Sequence, residues 1–137
     1  MGRMALERGA RKLAIWDIDE EKMAVTAAEF GSLGSVATYK VDVSDHEAVE
    51  AAYARTRAEC GDVDILVNCA GIVTGNRTFD RQTVRDIERT MTVNATAPMV
   101  LALQALPDMI ARDPGHLWNI ASAAGMISNP KMSVYVA

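Results

Sequence analysis

Two oxygen-bearing side chains near the end of the chain have the types and spacing that proton transfer to a substrate oxygen needs. Ser122 closes an apolar run that leads from Asn119, and Tyr135 comes 13 residues later. Gly125 and the pair Asn129-Pro130 mark turns between them. A phenol can give or take a proton, and a hydroxyl can hold an oxygen by a hydrogen bond. The pair is therefore the first candidate for a catalytic site.

This arrangement resembles the active site of the short-chain dehydrogenases/reductases, in which a strand ends in Ser, Tyr follows at this spacing, and Lys comes four positions after the Tyr. The chain ends at Ala137, two residues before that Lys. The resemblance implies hydride transfer between a nicotinamide and an alcohol or ketone, with Tyr135 as general acid and base and Ser122 as the anchor of the substrate oxygen. An unperturbed phenol is only about one part in a thousand ionised at pH 7. Without the Lys we expect Tyr135 to be a weak base.

Two further motifs strengthen the resemblance. Asn68-Cys69-Ala70-Gly71 corresponds to the family's Asn-Asn-Ala-Gly. There Asn68 would tie neighbouring strands together, while Ala70 and Gly71 would leave space for the cofactor ribose. Cys69 departs from the pattern and leaves the small pair intact.

Asn94 stands in a Val-Asn-Ala-Thr context, where the family holds a water that links the catalytic Lys to solvent. Pro98 cannot donate a hydrogen bond to the carbonyl of Asn94, four residues back, so that carbonyl needs another partner. We therefore expect Asn94 to hold this water as part of the catalytic site. The alternative is an ordinary proline kink.

Asp17, at the end of a predicted strand, favours NAD over NADP as cofactor. Asp17 could accept hydrogen bonds from both ribose hydroxyls of the adenosine, and its charge would repel a 2′-phosphate. Ile18 follows it, where an NADP enzyme would often place a base. Asp42 and Val43 match the family's adenine contact, although Asp42 could instead belong to the cap of the next helix. Tyr135 completes the predicted cofactor-binding residues.

The order of elements predicts an α/β fold. The predicted strands are Lys12 to Trp16, Val36 to Val41, Val63 to Val67 and His116 to Ala121. The predicted helices cover Met1 to Arg8, Asp19 to Phe30, a segment opened by a capping box at Ser44 to Glu47, and about Arg81 to Ala111. Strands that are apolar throughout indicate a parallel sheet with both faces covered.

The resemblance makes residues 1–137 a partial NAD(P)-binding domain with a doubly wound, Rossmann-type parallel sheet. No Thr-Gly-x-x-x-Gly-x-Gly loop is present. That loop would hold the pyrophosphate at a helix N-terminus. We therefore expect the first strand with its glycine-rich loop, and the C-terminal strands, to be missing. Two alternatives stay open, an incompletely recorded piece of an active dehydrogenase or reductase and a non-catalytic remnant that binds nucleotide weakly or pairs with an intact relative.

Composition excludes several other classes. The net charge of −4 and a pI near 5.1 give no basic patch for nucleic acid. The longest apolar run, residues 95–106, is too short to span a bilayer. Cys60 and Cys69 lack metal-ligand spacing, so we expect no metal, reduced thiols and a cytoplasmic protein. The resemblance implies a small alcohol or carbonyl compound as the substrate.

The 95–106 run is apolar on nearly every side of its helix. Either the helix is deeply buried, or the 84–111 helix joins subunits of a homo-oligomer, as helices of the resembling family also do.

Overall fold

The chain folds into two compact units, Met1–Asp62 and Val63–Ala137, in a computed structural model that describes residues 1–112, 115–127 and 129–137. Helices and strands alternate along both units, and each unit contains one pair of parallel strands. The predicted α/β class with parallel strands is confirmed. No helix in the described ranges is both long enough and apolar enough to cross a membrane.

The first unit pairs two strands and covers them with helices. Its elements are α1 (Gly2–Glu7), β1 (Lys12–Asp17), α2 (Glu20–Phe30), β2 (Ser35–Lys40) and α3 (His46–Cys60). The strands run in register from the pair Lys12 and Ser35 to the pair Asp17 and Lys40. Their carboxyl ends therefore lie side by side, which is the arrangement a ligand at the strand ends needs.

Helix α3 is fixed to both strands of the first unit by side chains. Val49 is fully buried. The Trp16 indole N–H donates to Thr56 Oγ1 at 3.0 Å, and the Tyr39 hydroxyl donates to Glu59 Oε2 at 2.9 Å. Burial is the main cause that raises the pKa of the Tyr39 phenol, which stays protonated as a donor. These bonds fix β1 and β2 to α3 near the carboxyl ends of the two strands.

The second unit is organised in the same way. Its elements are β3 (Ile65–Asn68), a 3₁₀ turn (Phe79–Arg81), α4 (Val84–Met91), a π-helical turn (Thr92–Thr96), α5 (Ala97–Arg112), β4 (His116–Asn119), a 3₁₀ turn (Ala123–Gly125) and α6 (Ser133–Val136). Strands β3 and β4 pair in parallel, with Asn68 opposite Asn119 at their carboxyl ends. Helix α5 buries one stripe, Ala97, Leu101, Ala105 and Met109, spaced four residues apart.

Gly115, directly before β4, lies very close to the Met109 side chain of α5. A Cβ added at Gly115 would lie 2.4 Å from the Met109 Cβ, a separation that real side chains do not adopt. Only glycine therefore lets β4 begin this close to the buried stripe of the helix.

One predicted helix start is wrong by one residue. Asp45, not Ser44, caps α3, and its carboxylate accepts from the Ala48 N–H at 3.1 Å. The Ser44 hydroxyl donates instead to Asp42 Oδ1 at 2.6 Å. The Ser44 hydroxyl is thus engaged as a donor to Asp42, and Asp45 caps the helix. A capping box that the sequence analysis missed opens α4, where Thr83 and Asp86 bond reciprocally.

The long helix predicted from about Arg81 to Ala111 is not continuous. It starts at Val84 and changes to a π-helical turn at Thr92–Thr96, in which the Ala97 N–H donates to the Thr92 carbonyl five residues back. Pro98, which lacks an N–H, is the second residue of α5 after this turn. The irregularity expected at Pro98 therefore takes the form of a π-helical turn, which lies before the proline. Pro107 also lies within α5, and the helix continues past it to Arg112.

The expectation that the strands are buried on both faces is wrong for this chain. Ile65 in β3 is 53% exposed and Trp118 in β4 is 56% exposed, while the interior of β1 is half-buried. Each strand has one hydrogen-bonded neighbour in the part of the chain that the structure describes. Side chains on the face of a sheet stay exposed where no helix packs over them, and a strand with one neighbour also leaves its other backbone edge unpaired.

Candidate active site

The first unit gathers its predicted cofactor residues at the carboxyl end of its strand pair. The Val41 N–H donates to the Asp17 carbonyl at 3.0 Å, directly beyond the last strand pair. Ile18 leaves β1 there and is exposed, and Asp42 with Val43 follows β2. All four predicted residues thus lie on the same edge of the two-stranded sheet.

The Asp17 carboxylate keeps bonding capacity for a ligand. Its Oδ1 accepts from the Asp19 N–H at 3.0 Å. Across the described residues Oδ2 accepts no hydrogen bond, and the side chain is exposed. A vicinal diol such as a ribose could therefore donate to Oδ2, as the prediction requires.

Asp42 has a second role in the turn that leads into α3. Its Oδ1 accepts from the Ser44 N–H at 2.9 Å and from the Ser44 hydroxyl. The alternative interpretation, in which Asp42 belongs to the region of the helix cap, thus has a structural basis, although the cap itself is Asp45. The adenine contact assigned to Asp42 and Val43 stays a prediction.

In the second unit, Asn68 joins three elements. Its Nδ2 donates to Asn119 Oδ1 at 2.8 Å and to the Pro98 carbonyl at 3.3 Å, and its own carbonyl accepts from the Ile120 N–H at 2.9 Å. These contacts link β3, β4 and α5. The Oδ1 atom of Asn68 is buried and has no partner in the described residues. The sequence motifs assign no role to Asn119, although it is a second Asn at the end of a predicted strand.

Asn94 holds the segment after Asn68-Cys69-Ala70-Gly71 by two hydrogen bonds. Its Nδ2 donates to the Ile72 carbonyl at 2.8 Å, and its Oδ1 accepts from the Ile72 N–H at 2.8 Å. We call this pair the Asn94 clamp. A Cβ added at Gly71 would meet only Asn94 Oδ1, at an ordinary 3.7 Å. The protein itself does not require glycine there, so the space above Gly71 fits a cofactor that approaches the backbone.

Ser122 is placed to donate its hydroxyl proton. It caps the 3₁₀ turn at Ala123–Gly125, and its Oγ accepts from the Ala124 N–H at 3.1 Å. A hydroxyl that accepts one bond still has its own proton to give, and within the described residues that proton has no acceptor. Ser122 is exposed, so an incoming oxygen can reach it.

Tyr135 lies on α6, a single turn that packs against both the 3₁₀ turn after Ser122 and helix α4. Val134 beside it is buried, and Tyr135 itself is half-buried. Its hydroxyl makes no hydrogen bond with any described residue. The structure therefore leaves the phenol, like the Ser122 hydroxyl, with free bonding capacity.

A polar network that the sequence analysis missed anchors the loop between Ile72 and α4. Thr74 Oγ1 donates to the Asp86 carbonyl at 3.0 Å and contacts Thr90 Oγ1. Hydrogen bonds from Thr83 are the main cause that lowers the pKa of the Asp86 carboxyl, and Arg77 adds to the effect. Threonines at these spacings carry no signal in the sequence. In the described ranges, no group of three or more His, Cys, Asp or Glu side chains could hold a metal ion.

The complete sequence, residues 1–137, matches the family model described as short chain dehydrogenase. The chain belongs to the short-chain dehydrogenase family. Estradiol 17-beta-dehydrogenase 11 of Pongo abelii is 40% identical to it over 125 residues, which cover 90% of this chain and 41% of that protein.

Solved structures of oxidoreductases match the fold closely. A metagenomic short-chain oxidoreductase in complex with NADP matches at a TM-score of 0.92 and 28% identity, covering 98% of this chain and 61% of that one. NAD⁺-bound xylitol dehydrogenase matches at a TM-score of 0.89 and 26% identity, covering 98% and 52%. This short-chain dehydrogenase chain thus spans only part of its relatives, and the relatives themselves differ in cofactor.

We expect Asn94→Ala to release the backbone of Ile72 in this short-chain dehydrogenase chain, because alanine can neither donate to the Ile72 carbonyl nor accept from the Ile72 N–H. Removing these part-buried bonds and leaving the backbone groups of Ile72 without their partner costs about 1–3 kcal/mol. Amide hydrogen exchange at Ile72, followed by NMR, should accelerate by at least about tenfold, a 1.4 kcal/mol effect.

The control is Asn76→Ala, the same change at an exposed position of the loop between Ile72 and α4, where no bond is lost. Equal exchange at Ile72 in both variants would show that the Asn94 clamp does not hold this segment.

Proposed function

We propose that this chain belongs to an NAD-dependent oxidoreductase acting on a small alcohol or ketone. It would provide the strand ends that bind the cofactor and the residues that transfer the proton. The observation that carries the proposal is the bonding state of Ser122. Its Oγ is held by the Ala124 N–H, and its proton is left to bind a substrate oxygen. The alternative is a non-catalytic chain that binds nucleotide weakly.

The work of the chain's own residues is to bind the substrate oxygen and move its proton. A bound nicotinamide would supply the hydride acceptor or donor. Ser122 donates its hydrogen bond to the substrate oxygen, and Tyr135 takes the proton in oxidation or returns it in reduction. The clamped backbone at Ile72 and the residues Ala70 and Gly71 keep one wall of the cofactor position small and rigid. We assign to the Asn94 carbonyl the role of holding a water for proton exchange with solvent.

Asp17 supports NAD as the cofactor. A free carboxylate oxygen can accept from ribose hydroxyls, whereas a 2′-phosphate at the same place would bring two negative charges together. Ile18 beside it offers no cation. Asp42 and Val43, which follow β2 on the same edge, would contact the adenine.

We expect the 137-residue chain to bind NAD⁺ and to prefer it over NADP⁺ by about tenfold or more, because Asp17 repels the added phosphate. The chain has two tryptophans, so Trp118→Phe leaves Trp16 alone beside Asp17 as a fluorescent reporter. Titration should give a saturable change, and calorimetry should give the same affinity.

The Trp16→Phe variant, which keeps only Trp118, corrects for light absorbed by the nucleotide. A folded chain that shows neither saturable fluorescence nor heat up to about 10 mM nucleotide would contradict a cofactor site in this chain.

We expect Tyr135→Phe to lower turnover by at least about 100-fold, the range of a lost general acid or base. The assay is alcohol oxidation followed by NADH absorbance, in an extended chain that supplies the glycine-rich loop and the Lys of the family pattern. Nucleotide affinity should stay within about threefold, because the adenosine end is unaffected.

Ser133→Ala is the matched control, since it removes a hydroxyl from an exposed position of the same helical turn. If Tyr135→Phe kept more than a few percent of the turnover, the acid–base role of this phenol would be wrong. That result would favour the alternative of a non-catalytic chain.

A second proposal concerns association through α5. Opposite its buried stripe, Met99, Leu103 and Ile110 are 61%, 72% and 76% exposed, and Leu106 lies on the same face. The stretch 97–107 carries no charge. An uncharged apolar stripe is complementary to itself about a twofold axis, so we propose a second copy of the chain as its partner.

We expect Leu103→Glu to weaken self-association by at least about tenfold, because a charge would be buried at the centre of the contact. Sedimentation equilibrium measures the effect. The control Val25→Glu introduces the same charge at an exposed valine of α2. A wild-type chain that stays monomeric at high concentration, or two variants that behave alike, would refute association through α5.

A further inference from the structure

Two large apolar side chains follow Ser122 and are open to solvent. Met126 is 90% exposed and Ile127 is 66% exposed. Both come directly after the 3₁₀ turn that Ser122 caps. Single apolar side chains on a protein surface are common and need no explanation. Two in succession beside a candidate catalytic hydroxyl form a small apolar surface. We call it the Met126 patch, and it consists of Met126 and Ile127.

Hydrogen bonds within the turn fix the Met126 patch relative to Ser122. The Ala124 N–H donates to Ser122 Oγ at 3.1 Å, and the Gly125 N–H donates to the Ser122 carbonyl at 3.1 Å. The Met126 N–H donates to the Ala123 carbonyl at 2.9 Å. Since a 3₁₀ turn advances about 2 Å per residue, the path from Ser122 to Met126 spans about 8 Å. The long, unbranched side chain of Met126 can therefore contact a molecule whose oxygen is bound at Ser122.

The surroundings of the Met126 patch carry no charge that could bind a charged substrate. Residues 117–130 include no Asp, Glu, Lys or Arg. The 3₁₀ turn packs against α6, whose four residues are also uncharged. Ala121 and Ala123, on either side of Ser122, are exposed and small, so they leave space for a carbon skeleton at the hydroxyl. A few placed polar groups among apolar side chains are the usual composition of a site for an apolar molecule.

This composition favours one class of substrate over others. A sugar or an amino acid brings several polar groups, and each of them loses free energy when it leaves water without finding a hydrogen-bond partner. A hydrocarbon gains free energy by covering apolar surface. The Ser122 hydroxyl provides for one oxygen, and the Met126 patch provides for carbon. The turn therefore suits a molecule with one oxygen at the reacting carbon and an apolar skeleton.

We propose that the substrate is a lipophilic alcohol or ketone, whose hydrocarbon part contacts Met126 and Ile127 while its oxygen is bound by Ser122. This inference rests on the proposed function and specifies its substrate class. It makes Met126 and Ile127 residues that determine specificity and that take no part in proton transfer. Substitutions in the Met126 patch should change affinity for the hydrocarbon part, whereas substitution of Ser122 should change affinity for the oxygen.

Binding of secondary alcohols of increasing length to the 137-residue chain tests the inference. The probes are 2-butanol, 2-hexanol and 2-octanol, together with sorbitol, a polyol with as many carbons as 2-hexanol. Titrations followed by NMR at the amide signals of Ala124 and Gly125 give the affinities. A methylene that leaves water completely gains about fourfold in affinity, so on an open patch we expect about twofold per methylene. Sorbitol should bind at least about tenfold more weakly than 2-hexanol.

Substitutions locate the contact. Met126→Ser and Ile127→Ser should each reduce the gain per methylene, and together they should weaken 2-octanol binding by about tenfold. Both side chains are exposed, so the variants should fold. Met126→Leu should keep the gain, because leucine is also apolar. The matched control is Met4→Ser, the same change at an exposed methionine of α1, which should leave every affinity within about twofold.

Ser122→Ala separates this inference from the proposed function. It should weaken all three alcohols by the same factor and leave the gain per methylene unchanged. If the gain is absent, or persists in Met126→Ser/Ile127→Ser, the inference is overturned, while an effect of Ser122→Ala still supports the oxygen anchor. If Ser122→Ala changes no affinity, the proposed function loses that anchor.

Two further results would also overturn the inference. One is a folded wild-type chain whose signals do not change with any of the alcohols, and in that case the NAD⁺ titration still judges the cofactor site separately. The other is a Met126→Ser/Ile127→Ser variant that binds alcohols as wild type does but associates with itself more weakly in sedimentation equilibrium. The Met126 patch would then be a contact between copies of the chain.

Discussion

The second unit depends on the Asn94 clamp. A carboxamide carries a donor and an acceptor at the same distance from the backbone, so one side chain can pair both the N–H and the carbonyl of Ile72. Asn94 thus supplies to the backbone of Ile72, which follows β3, the two hydrogen bonds that a neighbouring strand would otherwise supply. Without it, two backbone groups would lose their partners, and the walls formed by Ala70 and Gly71 would lose their anchor.

The π-helical turn explains how Asn94 can serve the loop. In Thr92–Thr96 the backbone bonds reach five residues back, so the turn is wider than in the flanking helices. Pro98 cannot supply an N–H to Asn94, and a wide turn before the proline accommodates that loss within a continuous helical path. The carbonyl of Pro98 then accepts from Asn68. The same irregular segment therefore contacts both the strand end and the segment that follows it.

Local signals in the sequence predicted most of the elements, and their failures have specific physical causes. Asp19 as a cap and Gly61 as a helix end follow from single-residue chemistry, and both were correct. Ser44 failed because a carboxylate two residues back captured its hydroxyl, a competition that spacing rules do not rank. The π-helical turn is one way to accommodate the missing N–H of Pro98, and the sequence alone does not distinguish it from an ordinary kink. The exposure of strand side chains depends on which elements pack over each face of the sheet, which the residues of the strand itself do not determine.

Hydrogen-bond capacity separates the residues that build the site from those proposed to act in it. Asn94 uses its donor and its acceptor on backbone groups, so it has a positioning role through its side chain. Asp17, Ser122 and Tyr135 instead keep a lone pair, a proton or a whole hydroxyl without a partner among the described residues. A residue that must bind a substrate or cofactor cannot also satisfy itself within the protein. Motif matching finds both groups because their spacing is equally regular. Only the structure shows which side chains already have their hydrogen bonds satisfied within the protein. Asn68 shows that a positioning residue can also keep a free acceptor at the strand end, because its buried Oδ1 has no partner in the described residues.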